Sequence, residues 1–172
     1  MAKDLMIDSP ALLDLDRLGL LGSLIKGSGY RLFTTTTAAE NSGSADAVID
    51  SIIPAGMKLE IISMKSDEYN RVLEARNEFS NCTWHEIFTI LKTMELGYRF
   101  LSSDPIMIRH LRHNDIITIS LDKFIDELNE GGLIDANEYY DAFDKLGKWE
   151  QALRDNARYY AVNNAINKAR RL

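Results

Sequence analysis

The sequence contains one cysteine, three prolines and no long uninterrupted hydrophobic run. The single cysteine, Cys82, cannot form a disulfide within the chain, which fits a reducing compartment. The most leucine-rich region, residues 11–25, is interrupted by Asp14, Asp16 and Arg17, so we do not expect it to span a membrane. The chain also lacks a charged segment followed by an apolar one at its start. These absences predict a cytoplasmic protein with no membrane association.

The charge balance is acidic overall and basic at the C-terminus. The formal net charge of the 172 residues is −6. A nucleic-acid function would therefore require a local basic patch, or metal ions that offset the repulsion of phosphate. Residues 150–172 carry more cationic than acidic side chains, namely Arg154, Arg158, Lys168, Arg170 and Arg171 against Glu150 and Asp155. We therefore predict a domain over residues 1–148 and a basic helical extension over residues 149–172.

Short apolar runs alternate with longer amphipathic segments along the chain. The predicted strands are residues 5–7, 30–34, 58–63, 98–102 and 116–120. The predicted helices are residues 11–25, 35–40, 45–53, 67–79, 83–96, 105–111 and most of the chain from residue 121. This alternation predicts an α/β fold with a mainly parallel, roughly five-stranded sheet.

Acidic residues follow or flank three of the predicted strands. Asp8 directly follows the first strand, and Asp104 lies just beyond the fourth. Glu40 lies one short helix beyond the second strand, and Glu86 lies in the first turns of the helix that precedes the fourth. Because functional groups gather at the carboxyl ends of parallel strands, we expect these acids to converge at one edge of the sheet.

A cluster of carboxylates at one edge predicts a divalent-metal site. Three or four close carboxylates repel one another unless a cation lies between them, and Mg²⁺ and Mn²⁺ prefer such hard oxygen ligands. A metal held there can activate water and stabilise the charge of a phosphodiester under attack.

Each acid also has a purely structural interpretation. Asp8 and Asp104 precede helices that open with proline, so either could be only a helix cap. Glu40 could be a solvated helix residue, and Glu86 could simply favour the positive end of its helix.

The order of elements and acids resembles the PIN-domain family, which includes the toxin ribonucleases of toxin–antitoxin pairs. Residues 5–13, Leu-Met-Ile-Asp-Ser-Pro-Ala-Leu-Leu, resemble that family's first strand, metal-binding Asp and first helix. Residues 33–43, Phe-Thr-Thr-Thr-Thr-Ala-Ala-Glu-Asn-Ser-Gly, resemble its second acidic motif. Residues 85–104 resemble its long helix, strand and Ser-x-Asp tip. The likeness extends through the Gly-Gly-Leu-Ile turn at residues 131–134 and covers residues 4–148.

The resemblance implies a three-layer fold and a metal-dependent endoribonuclease. It assigns Asp8, Glu40, Glu86 and Asp104 as the catalytic residues that hold Mg²⁺ or Mn²⁺, with Ser9 and Ser102 in supporting roles. The partners that it implies are an RNA substrate, a cognate antitoxin protein and a second copy of the chain.

One basic cluster lies beside this proposed site. Arg109, Arg112 and His113 follow Asp104 closely and are the best local candidates for RNA contacts. The alternative interpretation is a solvated helix and turn.

Two departures from the family pattern motivate a second hypothesis. Glu86 stands where the family usually has Asp, and Pro10 stands where it has Ser or Thr. A catalytically weakened PIN-like module that binds another protein is therefore the alternative. A response-regulator-like phosphoacceptor is a weaker third idea, because the last predicted strand has no lysine at its end.

The basic extension has three open interpretations. Its tyrosines and aliphatic residues, interleaved with Arg and Lys, could bind RNA by stacking and phosphate contacts. They could also dock a partner or a second copy, or pack the helix on its own domain.

Overall fold

The computed structural model describes residues 3–27, 29–35 and 59–169. Its strands are β1 (Lys3–Ile7), β2 (Tyr30–Thr35), β3 (Leu59–Ile62), β4 (Arg99–Ser102) and β5 (Thr118–Ser120). Its helices are α1 (Ser9–Arg17), α2 (Leu21–Gly27), α3 (Ser66–Ala75), α4 (Trp84–Leu96), α5 (Pro105–His113), α6 (Leu121–Glu130) and α7 (Ala136–Ala169). The helix predicted over residues 45–53, all but the first residue of the one predicted over 35–40, and Glu40 lie outside the described residues.

The five strands form one sheet in the order β3-β2-β1-β4-β5, and every pair of neighbours is parallel. Successive strands step outward from β1 to β3, and the chain then returns to the other side of β1 to form β4 and β5. The predicted α/β class and five-stranded parallel sheet are therefore confirmed.

Helices cover both faces of the sheet, because the side chains of each central strand alternate between two cores. In β1, Leu5 and Ile7 join the core formed with α1, α2, α6 and α7, whereas Met6 joins the core formed with α3, α4 and α5. In β4, Leu101 and Phe100 divide in the same way. All five side chains are fully buried, as the continuous apolar run at residues 5–7 predicts. The result is a three-layer fold with helix, sheet and helix.

The leucine-rich region forms two helices rather than the one predicted over residues 11–25. The break lies at Gly19, which has a φ of 76° and whose N–H donates to the carbonyl of Asp16 at 2.8 Å. Leucine spacing continues on both sides of the break, since Leu18 and Leu20 are both buried. The hydrophobic pattern alone therefore does not indicate this turn, which glycine permits.

Helix α3 ends at Ala75 rather than at residue 79. Val72 and Phe79 are buried, but Tyr69 and Leu73 are 48% and 45% exposed. The chain leaves the helix after Ala75, so the sheet is covered at that end by a turn that carries Phe79.

Helix α7 runs without interruption from Ala136 to Ala169. The boundary predicted between residues 148 and 149 lies inside this helix. The early turns pack on the domain through Ala142, Phe143 and Leu146. Among the helices in the described ranges, none is both long and apolar enough to cross a membrane.

Candidate active site

Asp8 and Asp104 lie at the carboxyl ends of two adjacent strands, β1 and β4. Strand order reverses at this point, because β2 flanks β1 on one side and β4 on the other. In open parallel sheets, ligands bind in the crevice that such a reversal creates. The fold therefore places two of the four predicted acids where a functional site is expected.

A short chain of hydrogen bonds connects the two strand tips. The Ser102 hydroxyl donates to Oδ2 of Asp8, and the backbone N–H of Asp104 donates to the Ser102 oxygen at 3.0 Å. The other carboxylate oxygen of Asp8 accepts from the N–H of Ala11 at 2.9 Å, which makes Asp8 the N-cap of α1. Ser9 is instead the first residue of that helix. Helix capping uses only the Oδ1 atom of Asp8. The carboxylate can therefore serve a second role through Oδ2.

Burial raises the pKa of the Asp8 carboxyl to about 7. The hydrogen bonds from Ser102 and Ala11 oppose this shift, and the negative charges of Asp104 and Glu86 add to it. Within the described ranges, no Lys or Arg forms an ion pair with Asp8. A cation would therefore relieve both the desolvation and the repulsion.

Glu86 lies at the start of α4 and forms a capping box with Thr83. Its Oε2 accepts from the Thr83 backbone N–H at 2.6 Å and from the Thr83 hydroxyl at 2.9 Å. Thr83 in turn accepts from the Glu86 N–H at 3.3 Å. The structural role suggested for Glu86 is therefore real, and it occupies one carboxylate oxygen.

Cys82 lies close enough to two of these acids to respond to their charge. Burial raises the pKa of its thiol to about 11, with further contributions from the charges of Glu86 and Asp104. Asp8 responds to the same two carboxylates. The charges of Glu86 and Asp104 therefore act on both Asp8 and Cys82. A thiol so disfavoured as a thiolate is a poor nucleophile, in line with the sequence, which offers it no catalytic partner.

The donor atoms at this edge suit Mg²⁺ or Mn²⁺, since they are carboxylate and hydroxyl oxygens and the Asp8 carboxylate among them is buried. In the part of the chain that the structure describes, however, no three His, Cys, Asp or Glu side chains are grouped closely enough to hold a metal ion. Glu40, the fourth predicted ligand, lies outside that part.

A cleft of about 770 Å³ opens beside the strand tips. Ser102 and Ser103 line it, and Arg109, Arg112 and His113 of α5 form a wall of it. The predicted basic cluster therefore faces a cavity rather than only bulk solvent. Arg112 is partly fixed, because its Nε donates to the Thr118 hydroxyl at 3.1 Å.

Two further residues that line the cleft were not predicted from sequence. Leu146 and Trp149 of α7 line the cleft, and both are partly buried against the main core. Their spacing of three residues on a helix places them on one face, which was the available signal. Only the packing of α7 shows that this face borders the strand tips.

The fold and the position of the acids define the class as a three-layer α/β protein with a parallel sheet and a crevice at the strand reversal. No protein-family model matches the chain, and no curated protein matches it. Among solved structures, the crystal structure of PAE2754 from Pyrobaculum aerophilum is similar, with a TM-score of 0.52 and 14% sequence identity. The match covers 76% of this chain and 99% of that one. At this identity the similarity shows a shared fold alone.

Proposed function

We propose that the protein is a divalent-metal-dependent endoribonuclease of the PIN-like type, acting on RNA in the cytoplasm. The observation that supports this most is the buried Asp8 carboxylate at the strand reversal, whose charged form is disfavoured by burial and by the charges of Asp104 and Glu86. No Lys or Arg in the described part of the chain pairs with it. Such an arrangement is costly for a purely structural residue, because burial and like charges both disfavour the ionised form. A divalent cation would relieve that cost.

In this proposal Asp8 and Asp104 hold the metal, together with Glu40 and Glu86 as the resemblance implies. The bound Mg²⁺ or Mn²⁺ would supply an activated water and stabilise charge on the phosphodiester. Ser102 holds Asp8 through its hydroxyl and the Asp104 loop through its oxygen. A carboxylate of the cluster would accept the proton from the attacking water.

The experiment is a comparison of Asp104→Asn with the wild type. We expect the wild type to bind Mn²⁺ by calorimetry and to cleave RNA with Mn²⁺ but not with EDTA, and the variant to lose both properties. Asp67→Asn is the matched control, because Asp67 is an exposed acid in the first turn of α3. A wild type that binds no Mn²⁺, with an Asp104→Asn variant that behaves identically, would refute the proposal.

The proposed biological setting is that of a toxin with a cognate antitoxin, acting as a monomer or a homodimer. A gene for a small DNA-binding protein next to this one would support the setting. Co-expression should then give a complex that survives gel filtration and inhibits cleavage. Cleavage unaffected by the neighbouring gene product would exclude that partner.

A second candidate function is supported by the capping box of Glu86. Because Oε2 of Glu86 is bonded to Thr83, the cluster has less ligand capacity than three unengaged acids would give it. The chain could then be a weakened PIN-like module that binds another protein. Cleavage assays of the wild type and Asp8→Ala, each with Mn²⁺ and with EDTA, separate the two functions. Equal activity, or none in either protein, would favour the binding module.

A further inference from the structure

Helix α5 contributes cationic side chains to the cleft beside the strand tips. Within the described ranges, Arg109, Arg112 and His113 take part in no ion pair, although Arg112 donates to Thr118. Arg109 is an exposed side chain. Guanidinium groups in such a position suit phosphate oxygens, which accept paired hydrogen bonds from them.

Among the described residues, three acids line the same cleft, and two of them have arginine partners outside the lining. Asp14 pairs with Arg17 at 3.5 Å, and Glu150 pairs with Arg154 at 3.1 Å. The third acid, Asp122, lies in the first turn of α6. A carboxylate there can accept hydrogen bonds from the amino groups of a nucleobase.

Trp149 supplies an aromatic surface in the same cleft that the arginines line. Its ring packs partly on the core, which fixes the side chain, and the remainder borders the cleft. A base that stacks on an aromatic side chain must be unpaired and splayed out of a helix. The volume of about 770 Å³ is within the range of pockets that hold small organic ligands, and it is too confined for a duplex.

We infer that this cleft binds a short single-stranded segment of the RNA substrate, with one base stacked on Trp149 and the flanking phosphate on Arg109 and Arg112. The inference rests on the proposed function, because Ser102, which lines the cleft, is hydrogen-bonded to both Asp8 and Asp104. Trp149 would then select unpaired RNA and position it for cleavage.

The test is binding measured without cleavage. The full chain is titrated in EDTA with a short fluorescein-labelled single-stranded RNA, and anisotropy gives the affinity. We expect Trp149→Leu to weaken binding about tenfold and Trp149→Phe to stay within about threefold, since stacking contributes on the order of 1–3 kcal/mol per base. Equal affinities of the wild type and Trp149→Leu, or equal affinities for single-stranded and duplex RNA, would overturn the inference.

Charge on the α5 wall is tested by salt dependence. Arg109→Gln should weaken binding and reduce the slope of log affinity against log salt by about 0.7, the value for one phosphate contact on a single strand. Arg71→Gln is the matched control, because Arg71 is exposed on α3 and pairs with Glu95 at 3.5 Å. An equal change of slope in both variants would contradict a phosphate contact at Arg109.

A fluorescence measurement distinguishes stacking from a structural role of Trp149. The chain has two tryptophans, so Trp84→Phe leaves Trp149 as the sole indole. RNA should quench its emission with the midpoint seen by anisotropy. Weakened binding in Trp149→Leu without such quenching would assign the ring to packing and overturn the stacking contact.

The outcomes for the cleft and for catalysis are separable. Tryptophan-dependent binding of RNA without Mn²⁺-dependent cleavage would sustain the inference and refute the proposed nuclease. Mn²⁺-dependent cleavage with the same kcat/KM in the wild type and Trp149→Leu would sustain the proposed nuclease and refute the inference about the cleft. Thermal melts of each variant establish that the compared proteins are folded.

Discussion

The Ser102 hydroxyl donates a hydrogen bond to Oδ2 of Asp8 and so joins the tip of β4 to the tip of β1. Both side chains are buried, at 0% and 6% exposure. The same Ser102 oxygen accepts from the N–H of Asp104. One hydroxyl thus sets the position of both acids at the strand reversal, and its removal should be measurable in two ways.

Ser102→Ala should destabilise the protein by about 1–2 kcal/mol, because a buried donor and acceptor both lose their partner. It should also raise the pKa of Asp8 above its value of about 7, since the Ser102 bond favours the charged form. Urea unfolding at several pH values measures both effects. Ser103→Ala is the control, and a variant that matches it at every pH would contradict the role of Ser102.

The raised pKa of Asp8 predicts how stability depends on pH. Between the unfolded value of 3.8 and the folded value of about 7, the folded protein binds a proton that the unfolded chain has released. The free energy of unfolding should therefore fall as pH rises through this window, by up to about 1.4 kcal/mol per pH unit from this group.

Asp8→Asn removes that titration and isolates its effect. At pH 8 the variant should be more stable than the wild type by about 1–3 kcal/mol, and at pH 4 the difference should disappear. Added Mn²⁺ should stabilise the wild type at pH 8 and leave Asp8→Asn unchanged. Parallel stability curves for the two proteins from pH 4 to pH 8 would exclude Asp8 as the titrating group.

The reactivity of the Cys82 thiol reports metal binding independently of catalysis. The negative charges of Glu86 and Asp104 help to raise the pKa of its thiol to about 11, so a cation bound among them should lower that pKa. We expect Mg²⁺ to accelerate alkylation of Cys82 by iodoacetamide severalfold at pH 9, where thiolate limits the rate. In Asp104→Asn the rate should not respond to Mg²⁺. The same rate with Mg²⁺ and with EDTA in the wild type would count against a cation at this position.

Replacing two glycines by alanine should change the stability of the protein in opposite directions. Gly97 ends α4 with a φ of 66°, so Gly97→Ala should cost about 1 kcal/mol in backbone strain. Gly147 lies inside α7 with open space around its Cα, so Gly147→Ala should stabilise the protein by about 0.5–1 kcal/mol. Melting temperatures show whether each variant is stabilised or destabilised. A stabilised Gly97→Ala variant would contradict the left-handed cap.

Local chemistry explains which parts of the fold were predictable. The apolar run at residues 5–7 indicates a strand buried on both faces. The segment from Trp84 to Gly97 shows apolar residues at helical spacing and ends in the glycine that stops the helix. The break at Gly19 was missed because the surrounding leucines keep helical spacing across it. A single glycine in such a pattern has too little local signal to locate a turn.

The site was predictable only in part, for a different reason. Asp8 and Asp104 could be placed because their position relative to the strands follows from the parallel topology alone. The bond of Ser102 to Asp8 and the wall formed by Trp149 depend on how distant segments pack. Neither relation leaves a pattern in the sequence.

The uninterrupted course of α7 has a consequence for truncation. Trp149 and the turns up to Ala169 belong to one helix, so the residue that lines the cleft and the basic extension are continuous. At 1.5 Å per residue, the helix continues for about 30 Å beyond Trp149. Cutting the chain after residue 148 would therefore remove Trp149 from the cleft together with the extension.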